Sequence, residues 1–254
     1  MKNLRSLFHA LPLIFLFCVA PVFAEAEMNP TSDVAAIAVD GGTVTFAGKI
    51  TAENIERFLA AVKGKNVSEL IIASSGGEIN AGMKMGEWVF DNGVDIVVER
   101  MCMSSCANYV FTAGHRKTIN SNSIVAWHGS ILQERGLSDE DVRKAVHDSY
   151  GKLPENNRNN IDLEALISRS IEQMRDYRRE SAERQERFFG KIGVDEQICR
   201  VGTEKYGAED FFALSVKDME RFGVRNVVAP EDYEKTDLAP FRRTGKSVVF
   251  ITLE

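Results

Sequence analysis

Hydrophobic and polar positions change period several times along the chain, and each change marks an element. Val44, Phe46 and Gly48 alternate through residues 43–50, the period of a strand with one covered face. Thr51 follows as a helix cap, and Ile55, Phe58, Leu59 and Val62 then recur at spacings of three and four. The run SELIIASSGGE predicts a buried strand ending in a glycine turn, and INAGMKMGEWVFDNG a second helix closed by Asn92-Gly93. VDIVVER is another buried strand, leading into MCMSSCANYVFTAG, which opens polar and turns into an apolar helical run. SIVAWHGS, residues 123–130, is a strand with His128 near its end. Strands alternating with helices in this order predict an α/β fold with mainly parallel strands.

Beyond that point the pattern loosens. Residues 131–161 are charged and asparagine-rich, with a weak helical pattern in the first half, and read as a mobile or partner-contacting insertion. Over residues 162–190, Leu163, Leu166, Ile167, Ile171, Met174 and Tyr177 predict one long amphipathic helix. Its second half carries many charges. Such a helix either projects toward another subunit or lies on its own domain. KSVVFITLE closes the chain as a final strand, so residues 43–254 read as a single domain behind a linker, 25–42.

The first 24 residues have Lys2 and Arg5, an apolar stretch from Leu7 and a Val22-Phe23-Ala24 exit, the layout of a secretory signal peptide. A membrane anchor would need a longer run than one broken by His9, Pro12 and Pro21. The expected product is a periplasmic or secreted chain of about 230 residues, long enough for a full core, with no membrane insertion. It keeps 29 basic against 37 acidic residues, a net charge of −8, which argues against nucleic acid as a partner. Cys102, Cys106 and Cys199 then remain, and in an oxidising compartment one disulfide with one free thiol is the simplest arrangement. No metal site or cofactor is expected, because no histidine cluster accompanies the cysteines.

Two strand ends carry chemically useful turns. Gly76-Gly77 lets the backbone turn sharply at a helix start and expose N–H groups suited to an oxyanion. Ser104 and Ser105 stand at the mouth of the next helix, as caps or with one of them as a nucleophile favoured by the helix dipole. A nucleophilic serine needs a base. His115 sits in a polar turn and His147 in the charged insertion, whereas His128 ends an apolar strand between Trp127 and Gly129.

The order of these parts resembles the Clp protease proteolytic subunit and its relatives in the ClpP/crotonase-like superfamily, including exported bacterial proteins of unassigned function. The resemblance covers roughly residues 43–128 and 205–228. In that family a serine, an apolar helix and a glycine nine positions on form the nucleophile segment. SCANYVFTAG keeps this distance from Ser105 to Gly114, which selects Ser105. HRKTINSNSIVAWH matches the segment ending in the base, His128, and Gly76 and Gly77 match the oxyanion loop. FFALSVKDMERFGV resembles the family's late aromatic, helical and glycine segment. The resemblance implies repeated ββα-type units, a peptide or protein substrate, and homo-oligomers with the long helix as a contact.

It departs from the family at the acid. The spacing back from Gly223 lands on Phe211, and Asp210 fits only with a shift of one, with Glu209 second. Cys106 follows the nucleophile, its N–H the further oxyanion donor, and the C-x-x-S-C framing resembles the exported relatives. A bridge from Cys102 or Cys106, to each other or to Cys199, would make that turn rigid. The expectation is an exported serine peptidase with Ser105, His128 and Asp210 acting together and Gly76, Gly77 and Cys106 binding the oxyanion. The alternatives are an inactive binding or assembly protein on the same fold, and a crotonase-type acyl-CoA enzyme, disfavoured by export.

Overall fold

A computed structural model describes residues 28–133, 138–241 and 246–254. The leader expected over residues 1–24 lies outside them. The elements in chain order are β1 (Ala36–Asp40), β2 (Thr43–Ala47), α1 (Ala52–Val62), β3 (Glu69–Ser74), α2 (Ile79–Asp91) and β4 (Asp95–Met103). A π-helical segment, Cys106–Phe111, precedes β5 (Lys117–Ile119) and β6 (Ile124–Ala126). Then come α3 (Asp139–Gly151), α4 (Glu155–Arg158), α5 (Leu163–Ile192), α6 (Val201–Lys205), β7 (Phe211–Leu214), α7 (Val216–Arg221), β8 (Val227–Val228) and β9 (Val248–Ile251).

The fold is α/β, built on a mixed and mostly parallel sheet in the order β1-β2-β3-β4-β5-β8, with β6 also paired to β4. Only β1 runs antiparallel to its neighbour, from within the segment expected to be a linker. Val44, Phe46, Leu70, Ile72, Ile96 and Val98 are fully covered at alternate positions on one face of the sheet, while Thr45, Ile71 and Val97 between them are partly covered. Thr51 caps α1 through the N–H of Asn54, and the predicted positions Ile55, Phe58 and Val62 face the core. Gly93 ends α2 with a φ of 61°, the left-handed conformation that glycine adopts without strain.

β4 is the element that organises the site. Its first half pairs with β5 and its second half with β6, as Met101, Cys102 and Met103 face Ile124, Val125 and Ala126. Arg100, with a φ of 64°, marks the change of partner, and its N–H donates to Ser123 Oγ at 2.8 Å. The strand therefore runs three residues beyond the sequence expectation, to Met103. The C-terminal ends of β3, β4 and β6 consequently lie side by side, where parallel sheets place ligands.

Among the described residues of the insertion, α3 and α4 are helical, and α3 opens with a reciprocal capping box between Ser138 and Asp141. It packs along α5, where Arg143 pairs with Glu164 at 3.0 Å. The long helix lies on its own domain through its C-terminal half. Phe188 and Phe189 are buried, Arg184 pairs with Glu87 at 2.9 Å, and Asn80 Nδ2 donates to Ser181 Oγ at 2.8 Å. No helix among the described residues is long and apolar enough to cross a membrane.

Candidate active site

The chain makes a sharp corner at Ser104, between the end of β4 and the helix that follows. Its φ of 56° lies in the left-handed region that L-residues avoid, and such strain persists only where surrounding structure over-determines it. The constraints are visible. Ser104 N–H donates to Ala126 O at 3.0 Å, continuing the ladder with β6, and Asn108 N–H donates to Ser104 O at 2.8 Å, starting the helix. Cys102 and Cys106 form a disulfide across the corner, with Cα atoms 5.2 Å apart, while Cys199 is a buried free thiol.

At this corner Ser104 Oγ lies 2.8 Å from Nε2 of His128. The serine set against the histidine is thus Ser104 and not the expected Ser105. Ser105 is buried, and its hydroxyl donates to Gly77 O at 2.7 Å, tying the two turns together. The reason is the helix itself. Hydrogen bonds from i to i+5 enclose one more residue per turn than α-helical bonds. The nine-residue distance back from Gly114 reaches Ser105, one residue past the left-handed corner at Ser104, and such a count takes no account of a wider turn.

The glycine turn presses against this corner. A Cβ on Gly76 would stand 2.4 Å from Met103 O and 2.6 Å from Ser104 Cβ. One on Gly77 would stand 2.0 Å from Ile50 O, so both positions require glycine. Of the three expected oxyanion residues only Gly77 borders the cleft. Gly76 N–H is used by Ser74 Oγ at 3.1 Å, and Cys106 lies beneath the surface in the disulfide. Ser105 also borders the cleft. Among the described residues, the N–H groups of Gly77 and Ser105 have no acceptor.

His128 is set by strand pairing. Trp127 and Phe212 exchange two backbone hydrogen bonds, each 2.8 Å, in antiparallel fashion. The next residues, His128 and Phe211, then face each other, with ring centroids 4.6 Å apart. Phe211 thus occupies the flank where an orienting acid was expected. Asp210 does not hold the ring, because its Oδ2 accepts from Ser247 N–H at 2.8 Å and from Ser247 Oγ at 3.3 Å. Glu209 is exposed, and neither carboxylate hydrogen-bonds the imidazole. Loss of hydration lowers the pKa of His128 below its ordinary value. The charge of Lys246 adds to this, and the charge of Asp210 opposes it.

These groups line a cleft of about 460 Å³ between the strand ends and α5. Ile79, Ile131 and Met174 give it an apolar lining. Tyr177 donates to Glu78 Oε1 at 2.6 Å, and burial together with that carboxylate pushes the phenol up to about 12, so it stays protonated. The same carboxylate caps α2 by accepting from the N–H groups of Asn80 and Ala81. Asn108 donates to Gly129 O at 3.0 Å, holding the strand that carries His128 against the helix that follows Ser104. No group of three or more metal-ligating side chains occurs among the described residues. Neither Tyr177 nor Asn108 was legible as a site residue; Tyr177 was legible only by its helical spacing. The chain matches no family model and no curated protein sequence.

Proposed function

We propose that this chain is an exported serine hydrolase of the ClpP/crotonase-like kind that cleaves peptide bonds, with Ser104 as nucleophile and His128 as base. The observation that carries the reading is the 2.8 Å approach of Ser104 Oγ to His128 Nε2 at a strained strand-to-helix corner. The neighbouring disulfide supports an oxidising compartment, and hence export.

In this mechanism Ser104 Oγ attacks the carbonyl carbon of the scissile amide while its proton passes to His128 Nε2. The carbonyl oxygen becomes an oxyanion held by the N–H groups of Gly77 and Ser105. Collapse breaks the C–N bond, and His128 returns the proton to the departing amine. Water then repeats the sequence on the acyl-serine ester, its proton going to His128 and on to Ser104. Lowering the pKa of His128 keeps the imidazole unprotonated and able to accept. Packing against Phe211 replaces a carboxylate as the constraint on the ring, so the pair works as a dyad.

A second reading, a binding or assembly protein on the same scaffold, is favoured by one observation, the commitment of Asp210 to Ser247. Labelling with a fluorophosphonate, mapped by peptide mass, separates the two. Hydrolase chemistry predicts modification at Ser104 that is lost in Ser104→Ala and in His128→Ala and retained in Ser105→Ala. An unlabelled parent protein would leave the binding reading.

A further inference from the structure

The arginines of α5 are unequal. Arg175 pairs with Asp139, Arg179 with Asp176, Arg184 with Glu87 and Arg187 with Glu183. Arg169 and Arg178 have no carboxylate within 4 Å among the described residues, and of these two Arg178 borders the cleft. Among the described residues its guanidinium donates once, from Nη2 to Gln133 O at 3.3 Å, and its other N–H donors have no acceptor there. Among the described residues of the cleft lining it is the only permanently charged side chain, in a chain whose net charge is −6. Glu78, whose carboxylate accepts from the cleft residue Tyr177, is occupied by that phenol and by the start of α2. Lys246 lies 5.8 Å from the Phe211 ring centroid, and its charge acts on His128.

We infer that Arg178 anchors a carboxylate of the substrate, so that the cleft selects peptides with an apolar residue against Ile79, Ile131 and Met174 and a negative group beside it. The carboxylate is that of an acidic side chain or of a chain terminus. A fork of N–H donors in a partly dry cleft favours a planar carboxylate over a neutral amide of the same shape. An isolated cation with a solvated ligand gives less discrimination than a fully buried pair, so the expected preference is about tenfold.

This inference rests on the cleft being a peptide site, and binding tests it without requiring turnover. The probes are fluorescein-labelled Ala-Leu-Glu-Leu amide, its Gln and Lys counterparts, and Ala-Leu-Gln-Leu as the free acid. They are titrated by anisotropy into the purified protein carrying Ser104→Ala. The Glu amide or the Gln free acid should bind about tenfold tighter than the Gln amide. Whichever of the two shows the gain assigns the carboxylate to a side chain or to a terminus. Arg178→Gln should remove the gain, and Arg178→Glu should transfer it to the Lys peptide, with circular dichroism matching the parent in both. Equal binding of acidic and neutral peptides, binding of none, or a gain that survives Arg178→Gln overturns it. Failure of hydrolysis by the parent protein bears on the proposed function alone.

Discussion

The two walls of the cleft are built by different physics. One is made of strand ends, where β3, β4 and β6 lie in hydrogen-bonded register and place Gly77, Ser104 and His128 together. Beyond the strand ladders it is held by close packing at short range: glycines with no room for a Cβ, a disulfide across the corner, and a buried serine bridging the turns. The other wall is α5 with residues 131–133, attached by side-chain hydrogen bonds such as Arg178 to Gln133 and Tyr177 to Glu78. A reactive pair needs positions held to fractions of an ångström, which only a ladder and a packed corner supply. Selection of a ligand tolerates side chains on a helix surface, where residues change without disturbing the sheet.

The sharpest break of this comparison is in the proposed catalytic pair, Ser104 and His128. Ser104→Ala should abolish fluorophosphonate labelling, a loss of about a thousandfold or more, and His128→Ala should do the same without adding to it. Ser105→Ala should retain the label within about tenfold while costing about 1–3 kcal/mol of stability, since Gly77 O would be left without its donor. The reverse pattern would return the nucleophile to Ser105. Next, Gly77→Ala forces a methyl group against Ile50 O and should destabilise the protein by about 3 kcal/mol, read in urea unfolding. A change within 0.5 kcal/mol would mean the turn relaxes freely.

Removing the disulfide with Cys102→Ser and Cys106→Ser should cost about 2 kcal/mol, the loop entropy of so short a crosslink. Alkylation should reach Cys199 only after unfolding, because burial drives its thiol pKa far up. The pH profile of labelling comes next. The base must be neutral, so activity falls as pH drops through the pKa of His128. That pKa is lowered, which places the acid limb below about 6.5. A limb above that value would show that nearby carboxylates outweigh desolvation. The smallest expected effect is Asp210→Asn, less than about tenfold in labelling, whereas an orienting acid in a triad is worth about ten thousandfold. A loss of that size would make Asp210 the third member.

The amino-acid sequence determined the local elements by itself, because their causes are local. Period, caps and glycine stops specify α1, α2, β3 and the core of β4, and the strand-end turns at Gly76-Gly77 and Ser104-Ser105 follow from them. His128 was legible as the histidine facing a pocket because it closes an apolar strand. Short strands such as β1, β5 and β8 carry too few residues for a period to register, and they exist because neighbours supply their hydrogen bonds. The identity of the paired serine depends on a helix wider by one residue, which no count along the chain contains. The partner of Asp210 was equally hidden, since its carboxylate accepts from Ser247, 37 residues away in sequence. What only the tertiary structure decided was which hydroxyl, which N–H and which cation share one cleft. The physical reason is that pairing across strands and packing of a distant helix fix those distances, and no propensity acts over such separations.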